Sequence, residues 1–186
     1  NDGSTQIIPV TVSAFQHVPF DVNAVQGTHP SEVSAEITSD NPIVAQRLMY
    51  FHFSSAHISG GTDIVGEPGP AIHNVYAFAE GYTGGSFTEF LTLQNPTANT
   101  ETVSVTLFTK SVVFQFQATV PAHSRKTFTI NKILNPINGG DVSLTVQAIG
   151  SNAVIVAERP MYFVYSIKGV SGTILGGTDV IGYTGS

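Results

Sequence analysis

Cysteine and tryptophan are both absent from this 186-residue chain. Without cysteine there can be neither a disulfide framework nor a thiolate metal site. That absence fits a bacterial surface protein and a cytosolic one equally well. Without tryptophan the commonest side-chain platform for a sugar ring is missing. Charge is also scarce: charged residues make up 11% of the chain, against about a quarter in an average globular protein. Bases are scarcer than acids, seven against thirteen, and the net charge of −6 disfavours a nucleic-acid partner. No run approaches the ~18 apolar residues of a membrane-crossing helix. No basic segment followed by an apolar stretch opens the chain, so a signal peptide is expected to be absent or already removed.

What is present is 41% hydrophobic residues, enough for a core, set among Gly, Ser, Thr, Asn and Val. That is the composition of a β-rich extracellular protein. One passage occurs twice. Ile43 to Phe51 reads IVAQRLMYF and Ile155 to Phe163 reads IVAERPMYF; each is followed by a second shared string, GGTDIVG at Gly60 to Gly66 and GGTDVIG at Gly176 to Gly182. Upstream, TVSAFQHVPFDVN (Thr11 to Asn23) lies over TVPAHSRKTFTIN (Thr119 to Asn131) at a shift of 108. The shift grows to 109 at Glu32-Val33-Ser34, 112 at the IVA strings and 116 at the GGTD strings, as when loops vary and strands do not. Tyr76 to Phe108 has no counterpart in the first copy. Ordered repetition of this kind marks a repeat architecture: a complete module at 76–186, a partial one at 1–66, and a Pro/Gly linker at 67–75 containing Glu67-Pro68-Gly69-Pro70.

Alternation of apolar and polar residues dominates the pattern. It predicts strands around Leu91 and Leu93, closed by Asn95-Pro96, and over Val103 to Leu107, Val113 to Val120, Phe128 to Ile130 and Val142 to Val146. Val154 to Tyr165, the longest apolar run, reads as a central strand. Turn signals recur about every 8–12 residues, at Asn95-Pro96, Asn135-Pro136, Asn138-Gly139-Gly140, Gly150-Ser151-Asn152 and Gly176-Gly177. No segment shows a helical period with caps. The expected fold is all-β: two immunoglobulin-like β-sandwich modules of about seven strands in tandem, the first incomplete.

The ordered strings FAEGYTGGSFTEFLTLQNP (Phe78 to Pro96), VPAHSRKTFTIN, IVAERPMYF and GGTDVIG resemble a repeat of large secreted bacterial surface proteins, a family of unsettled function. The resemblance covers nearly all of 76–186 and, less closely, 5–66. It implies an extracellular location and tandem organisation, and nothing about catalysis. Such repeats often carry histidine in the last motif, where this chain has Thr62 and Thr178, so no metal role is implied there.

Candidate chemistry is sparse. Arg47 and Arg159 each fall in an apolar stripe of alternating positions: Ile43, Ala45, Met49 and Phe51 around the first, Ile155, Ala157, Met161 and Phe163 around the second. A buried guanidinium needs a partner. Asp63 and Asp179 of the GGTD strings are the available acids, so structural ion pairs pinning each terminal hairpin are expected; an exposed ligand-binding arginine is the alternative. Calcium at Asp63 or Asp179 is disfavoured because calcium takes six to eight oxygens and no second acid is near in sequence; a glycine turn with Asp bonding its own backbone is the simpler expectation. Glu80 and Glu89 flank a Gly-rich turn, but nothing supplies the cleft that a glycosidase pair requires. The six histidines, His17, His29, His52, His57, His73 and His123, show no metal spacing. No GxSxG, P-loop or GxGxxG string occurs. Tyr50, Phe53, Tyr162 and Tyr165 are candidate interface aromatics. No enzyme activity, cofactor or metal is expected.

Charge is uneven: residues 1–100 hold nine acids and one base, Arg47, whereas 101–186 hold four acids and six bases. Unlike ends favour head-to-tail attraction between copies. The expectation is a non-enzymatic, secreted structural protein, a subunit of a cell-surface fibre, sheath or layer. Three outcomes are open for its partial copy: strands borrowed from another chain, giving a homo-oligomer or filament; packing of residues 1–66 on the second module as a smaller sheet of their own; or a chain that is a window cut from a longer repeat protein. The alternative is an adhesin or glycan-binding surface module.

Overall fold

The computed structural model describes residues 5–26, 32–53, 58–69, 73–135, 139–166, 168, 169 and 171–185. Pro70, His29, His57, Pro136 and Asn138 lie outside this set. The chain runs α1 (Val22–Gln26), β1 (Gln46–Phe53), β2 (Ile58–Val65), β3 (Val75–Phe78), β4 (Phe87–Asn95), β5 (Glu101–Thr109), β6 (Val113–Val120), β7 (Ser124–Thr129), α2 (Ile130–Leu134), β8 (Val142–Ile149), β9 (Val156–Glu158), β10 (Met161–Tyr165) and β11 (Ile174–Thr178). It is an all-β fold of antiparallel sheets.

Residues from His73 onward form two sheets. One has the order β3-β8-β5-β6; the other runs β11-β10-β4-β7, with β9 also on β4. The alternation read from sequence becomes the inner faces. Along β5, Val103, Val105 and Leu107 are buried while Ser104 and Thr106 are not. With Leu91, Leu93, Leu144, Val146 and Ile155 they form one core. β4 and β5 are the hubs: β7, β9 and β10 pair with β4, and β6 and β8 pair with β5.

Three expectations are corrected. The module has nine strands rather than about seven. Val154 to Tyr165 is not one strand. β9 and β10 lie in one line beside β4, interrupted at Arg159-Pro160, where proline has no N–H to give. Phe90 N–H still donates to Pro160 O (2.8 Å), so the register carries through. Short helices also occur: β7 ends at Thr129, and Ile130, expected in a strand, begins α2.

The Asn95-Pro96 turn is held by a buried side chain. Asn95 Nδ2 donates to the carbonyls of Asn99, Val120 and Pro121 at 2.7, 2.9 and 3.0 Å, and its Oδ1 accepts from Thr97 N and Oγ1. Asn95→Ala leaves those carbonyls short of a donor in a dry site. It is expected to cost about 3 kcal/mol, read as a lower urea midpoint at unchanged slope.

The first copy is different in kind. Every buried hydrophobic residue of the core lies between Tyr76 and Ala157. Among the described residues, 5–26 and 32–45 form no strand. Yet local features recur at the expected shift. α1 starts 108 residues before α2, and Phe15 (φ 60) and His123 (φ 48), the positive-φ non-glycine residues, are also 108 apart. Turn and helix need only their own residues, whereas a strand needs a neighbour. The neighbours are what the first copy lacks. Its 5–12, 16–21, 33–40 and 44–46 match β6, β7, β8 and β9, all of which pair with β3, β4 or β5. Residues 1–66 contain no counterpart of those three. Only β10–β11 is self-sufficient, and its counterpart β1–β2 is the pair that forms.

Candidate functional site

The two hairpins share one register. Met49↔Thr62, Tyr50↔Gly61 and Phe51↔Gly60 in β1–β2 repeat as Met161↔Thr178, Tyr162↔Gly177 and Phe163↔Gly176 in β10–β11. This explains the doubled MYF and GGT strings. The Gly-Gly pair lies within a strand rather than in the turn expected of it, and each glycine lies under a ring. A Cβ on Gly60 or Gly176 would stand 3.0 Å from the Phe51 or Phe163 ring, and on Gly61 or Gly177 3.1 or 2.9 Å from Tyr50 or Tyr162.

The register also decides the ion pairs. Arg47 lies opposite Ile64 while Asp63 lies opposite Leu48. Arg159 N–H bonds Val180 O, which puts Asp179 opposite Pro160. Side chains alternate faces along a strand, so each arginine and the aspartate of its own hairpin point to opposite sides. The expected pairs Arg47 with Asp63 and Arg159 with Asp179 therefore do not form. Arg47 instead crosses between copies: Nη2 bonds Asp179 Oδ2, and Nη1 lies 3.0 Å from Glu158 Oε2. Asp63 accepts from Gln46 Nε2.

The contact is a hairpin stacked on a hairpin. The Arg47–Met49–Phe51 face of β1–β2 covers the outer face of β10–β11, made by Glu158, Tyr162, Gly177 and Asp179. The Phe51 and Tyr162 rings meet edge-on at 4.8 Å. A Cβ on Gly177 would sit 2.7 Å from the Phe51 ring tip, so the bare glycine makes room for the phenyl group. Gly177→Val is expected to loosen the hairpin, read as faster amide exchange in β1–β2 with β5 unchanged. A second cross-copy pair, Arg125 Nη1 with Glu32 Oε2 at 3.6 Å, also joins an acid of the first copy to a base of the second.

Of the other interface candidates, Tyr50 is 83% exposed on the outward face and Tyr165 is half exposed beside Phe87. Phe53 closes β1 opposite Ile58, with its side chain outside what the structure describes. Burial, reinforced by the Glu158 charge and opposed by Arg47, raises the Asp179 carboxyl from 3.8 to about 6. Burial likewise raises Tyr162.

Glu89, weighed in sequence only as a partner of Glu80, is instead a buried acid. It is fully buried, on the inner face with Arg159 and opposite Met161. Neither carboxyl oxygen has a hydrogen-bond partner, nor do Nε and Nη1 of Arg159. Burial, opposed by the nearby Arg159 charge and by an approach of the Tyr82 backbone that falls short of a hydrogen bond, raises Glu89 from 4.5 to about 7. Asn131 of α2 fixes this corner: Oδ1 accepts from Glu89 N, and Nδ2 donates to Thr83 O and Phe87 O. The FTEF string carried the signal, an acid in phase with Phe87 and Leu91. Glu80 is exposed on the surface, so the two acids form no pair. No group of three His, Asp or Glu able to hold a metal occurs among the described residues, and none of their helices is long and apolar enough to cross a membrane.

No protein-family model and no curated protein matches the chain. Solved structures are similar to it, two of them as follows. One, Thermotoga maritima 1070, is 17% identical over 62% of this chain and 99% of that one, at a TM-score of 0.46. The other, the Anabaena sensory rhodopsin transducer, is 24% identical over 47% of this chain and 94% of that one, at 0.39.

Proposed function

We propose that the chain is a non-enzymatic structural protein of the cell exterior, a subunit of a surface fibre, sheath or layer, whose first repeat accepts β-strands from another polypeptide. We read both copies as immunoglobulin-like sandwiches, the second closed and the first partial within residues 1–66. One observation carries this reading. Val12, Val22, Val33, Ile37 and Ile43 match the buried Val120, Ile130, Val142, Val146 and Ile155, and all five are exposed. Covering them is worth on the order of 5 kcal/mol. Val12, Val33, Ile37 and Ile43 lie in segments that form no strand, the kind that strand addition can order, while Val22 opens α1. The accessible area of 12075 Å², against about 8,600 Å² for a compact monomer of this mass, fits a chain with unspent apolar surface.

The donor must carry strands like β3–β5. In an identical subunit these are the hubs of its own closed module, so exchange between identical chains requires opening that module. Light scattering after size exclusion should show assemblies growing with concentration or on mixing with such a donor. A chain that stays monomeric under both conditions contradicts the reading. A glycan-binding module remains the second reading, favoured by the exposed Tyr50 on the same strand face as Gln46, Leu48 and Asp63.

A further inference from the structure

We propose that the free edge of β6 pairs, antiparallel, with the same edge of a second copy of this chain, the two-fold axis passing through Gln115. The contact lies wholly in the second module and does not rest on strand acceptance by the first repeat.

β6 is the edge of its sheet, and among the described residues nothing pairs with its far side. The other edges of the two sheets are guarded. β3 is covered where Ala77 exchanges two backbone hydrogen bonds with Tyr183, both 2.8 Å. β7 carries Arg125 and Lys126, and β11 is five residues long with two adjacent glycines. β6 has eight residues, VFQFQATV, with neither charge nor proline. An edge of that kind is a template for another strand. Its side chains suit the same use. Phe114 and Phe116 are half-buried at the rim of the core, and Phe116 lies 5.4 Å from Phe128 of β7.

The backbone fixes the register. Thr109 N–H bonds Val112 O at the β5–β6 turn, and hydrogen-bonded pairs alternate along an antiparallel ladder. Phe114, Phe116 and Ala118 therefore bond β5, opposite Leu107, Val105 and Val103. Val113, Gln115, Gln117 and Thr119 turn their N–H and C=O groups outward. Lys126 agrees with this, since its Nζ reaches the Thr119 carbonyl from β7 at 3.2 Å. That ammonium guards one end of the edge and leaves Val113 to Gln117 open, with Gln115 at the centre. Outward groups must meet outward groups. Gln115 then faces Gln115 of the second copy, and Val113 faces Gln117 of the second copy. Phe114 falls opposite Phe116 of the second copy, and the axis makes this pair twice. These are non-hydrogen-bonded positions, where opposed side chains lie closest. The two four-stranded sheets become one, and the contact, being isologous, closes on two copies. In a fibre or layer it supplies a sideways link.

Sedimentation equilibrium of the full chain, with amide exchange at low and high concentration, tests this. A dimer should form and slow exchange of the Val113, Gln115 and Gln117 amides. The Phe114 and Phe116 amides, already bonded to β5, should not change. Gln115→Lys and Gln115→Glu each set like charges opposite one another across the axis and should weaken dimerisation at least ~5-fold. An equimolar mixture of the two variants should recover it, because unlike charges then meet. Mixing restores nothing lost within one chain, such as the bonds that Gln115 Nε2 donates to Ser104 and Thr106. A dimer that neither variant weakens, a mixture that recovers nothing, or protection that does not alternate along β6 overturns the proposal. So does a chain still monomeric at ~1 mM. Strand acceptance is scored separately, by assemblies beyond two copies, which Gln115→Lys leaves as they are.

Discussion

Replacing Glu89 by glutamine is expected to stabilise the second module above neutral pH and to remove most of the pH dependence of its unfolding between about pH 5 and 8. Glu89 is 0% exposed, with both carboxyl oxygens unpartnered. Burial lifts it to about 7 from 4.5. Because the folded value is the higher one, the folded protein holds this proton where the unfolded chain has released it. The stabilising contribution is complete below about 4.5 and is lost as pH rises through about 7. The difference corresponds to about 3 kcal/mol. Asp179, raised in the same direction to about 6, adds a loss at lower pH that the variant keeps. Urea titrations of wild type and Glu89→Gln should coincide near pH 4 and separate by 2 to 3 kcal/mol, on this order, at pH 8. A variant less stable than wild type at pH 8 would mean that Glu89 works as a charged partner of Arg159, in conflict with its unpartnered oxygens.

Arg47→Ala should free the hairpin while sparing the sandwich. Arg47 is the base that reaches Asp179 and Glu158, and it is itself 44% exposed in its side chain, so the full penalty of breaking a buried pair is not reached. About 2 kcal/mol of docking should be lost, or about 30-fold in the open fraction. Amide exchange in β1 and β2 should accelerate by that factor, while β4, β5 and β8 keep wild-type rates. The Asp179 carboxyl should rise further, since Arg47 is what draws it down, and a carboxyl chemical-shift titration reads that directly. Uniform acceleration across both modules would show that the hairpin is part of the sandwich's own stability.

Much of this was open to a reader of the sequence. Period-two alternation placed β4, β5, β6 and β8, and the doubled strings placed the matching hairpins. The inward stripe containing Arg159 also followed from alternation, because the interruption at Pro160 does not change the phase. Two things were misread for physical reasons. The arginines were assigned to the aspartates of their own hairpins because sequence proximity does not state cross-strand register. Once Met161 is seen opposite Thr178, Asp179 must fall on the other face. Ile130 was read as strand because a one-turn helix is too short to show a 3.6-residue period. That part of residues 1–66 packs on the second module as a smaller sheet of its own was among the expectations; which faces meet, Phe51 on Tyr162 and Arg47 on Asp179, was not legible. It is set by tertiary packing between segments far apart in the chain, which local sequence pattern does not encode.

Hydrogen exchange on the full chain, resolved by residue and made on the monomer, tests most directly whether the first repeat is a sandwich without its partners. Amides of β4, β5, β8 and β10 should be the slowest, those of β1 and β2 intermediate, and those of 5–26 and 32–45 close to the unstructured limit. Protection across 5–26 and 32–45 equal to that of β5 would show that these segments are paired in a sheet and would contradict the account.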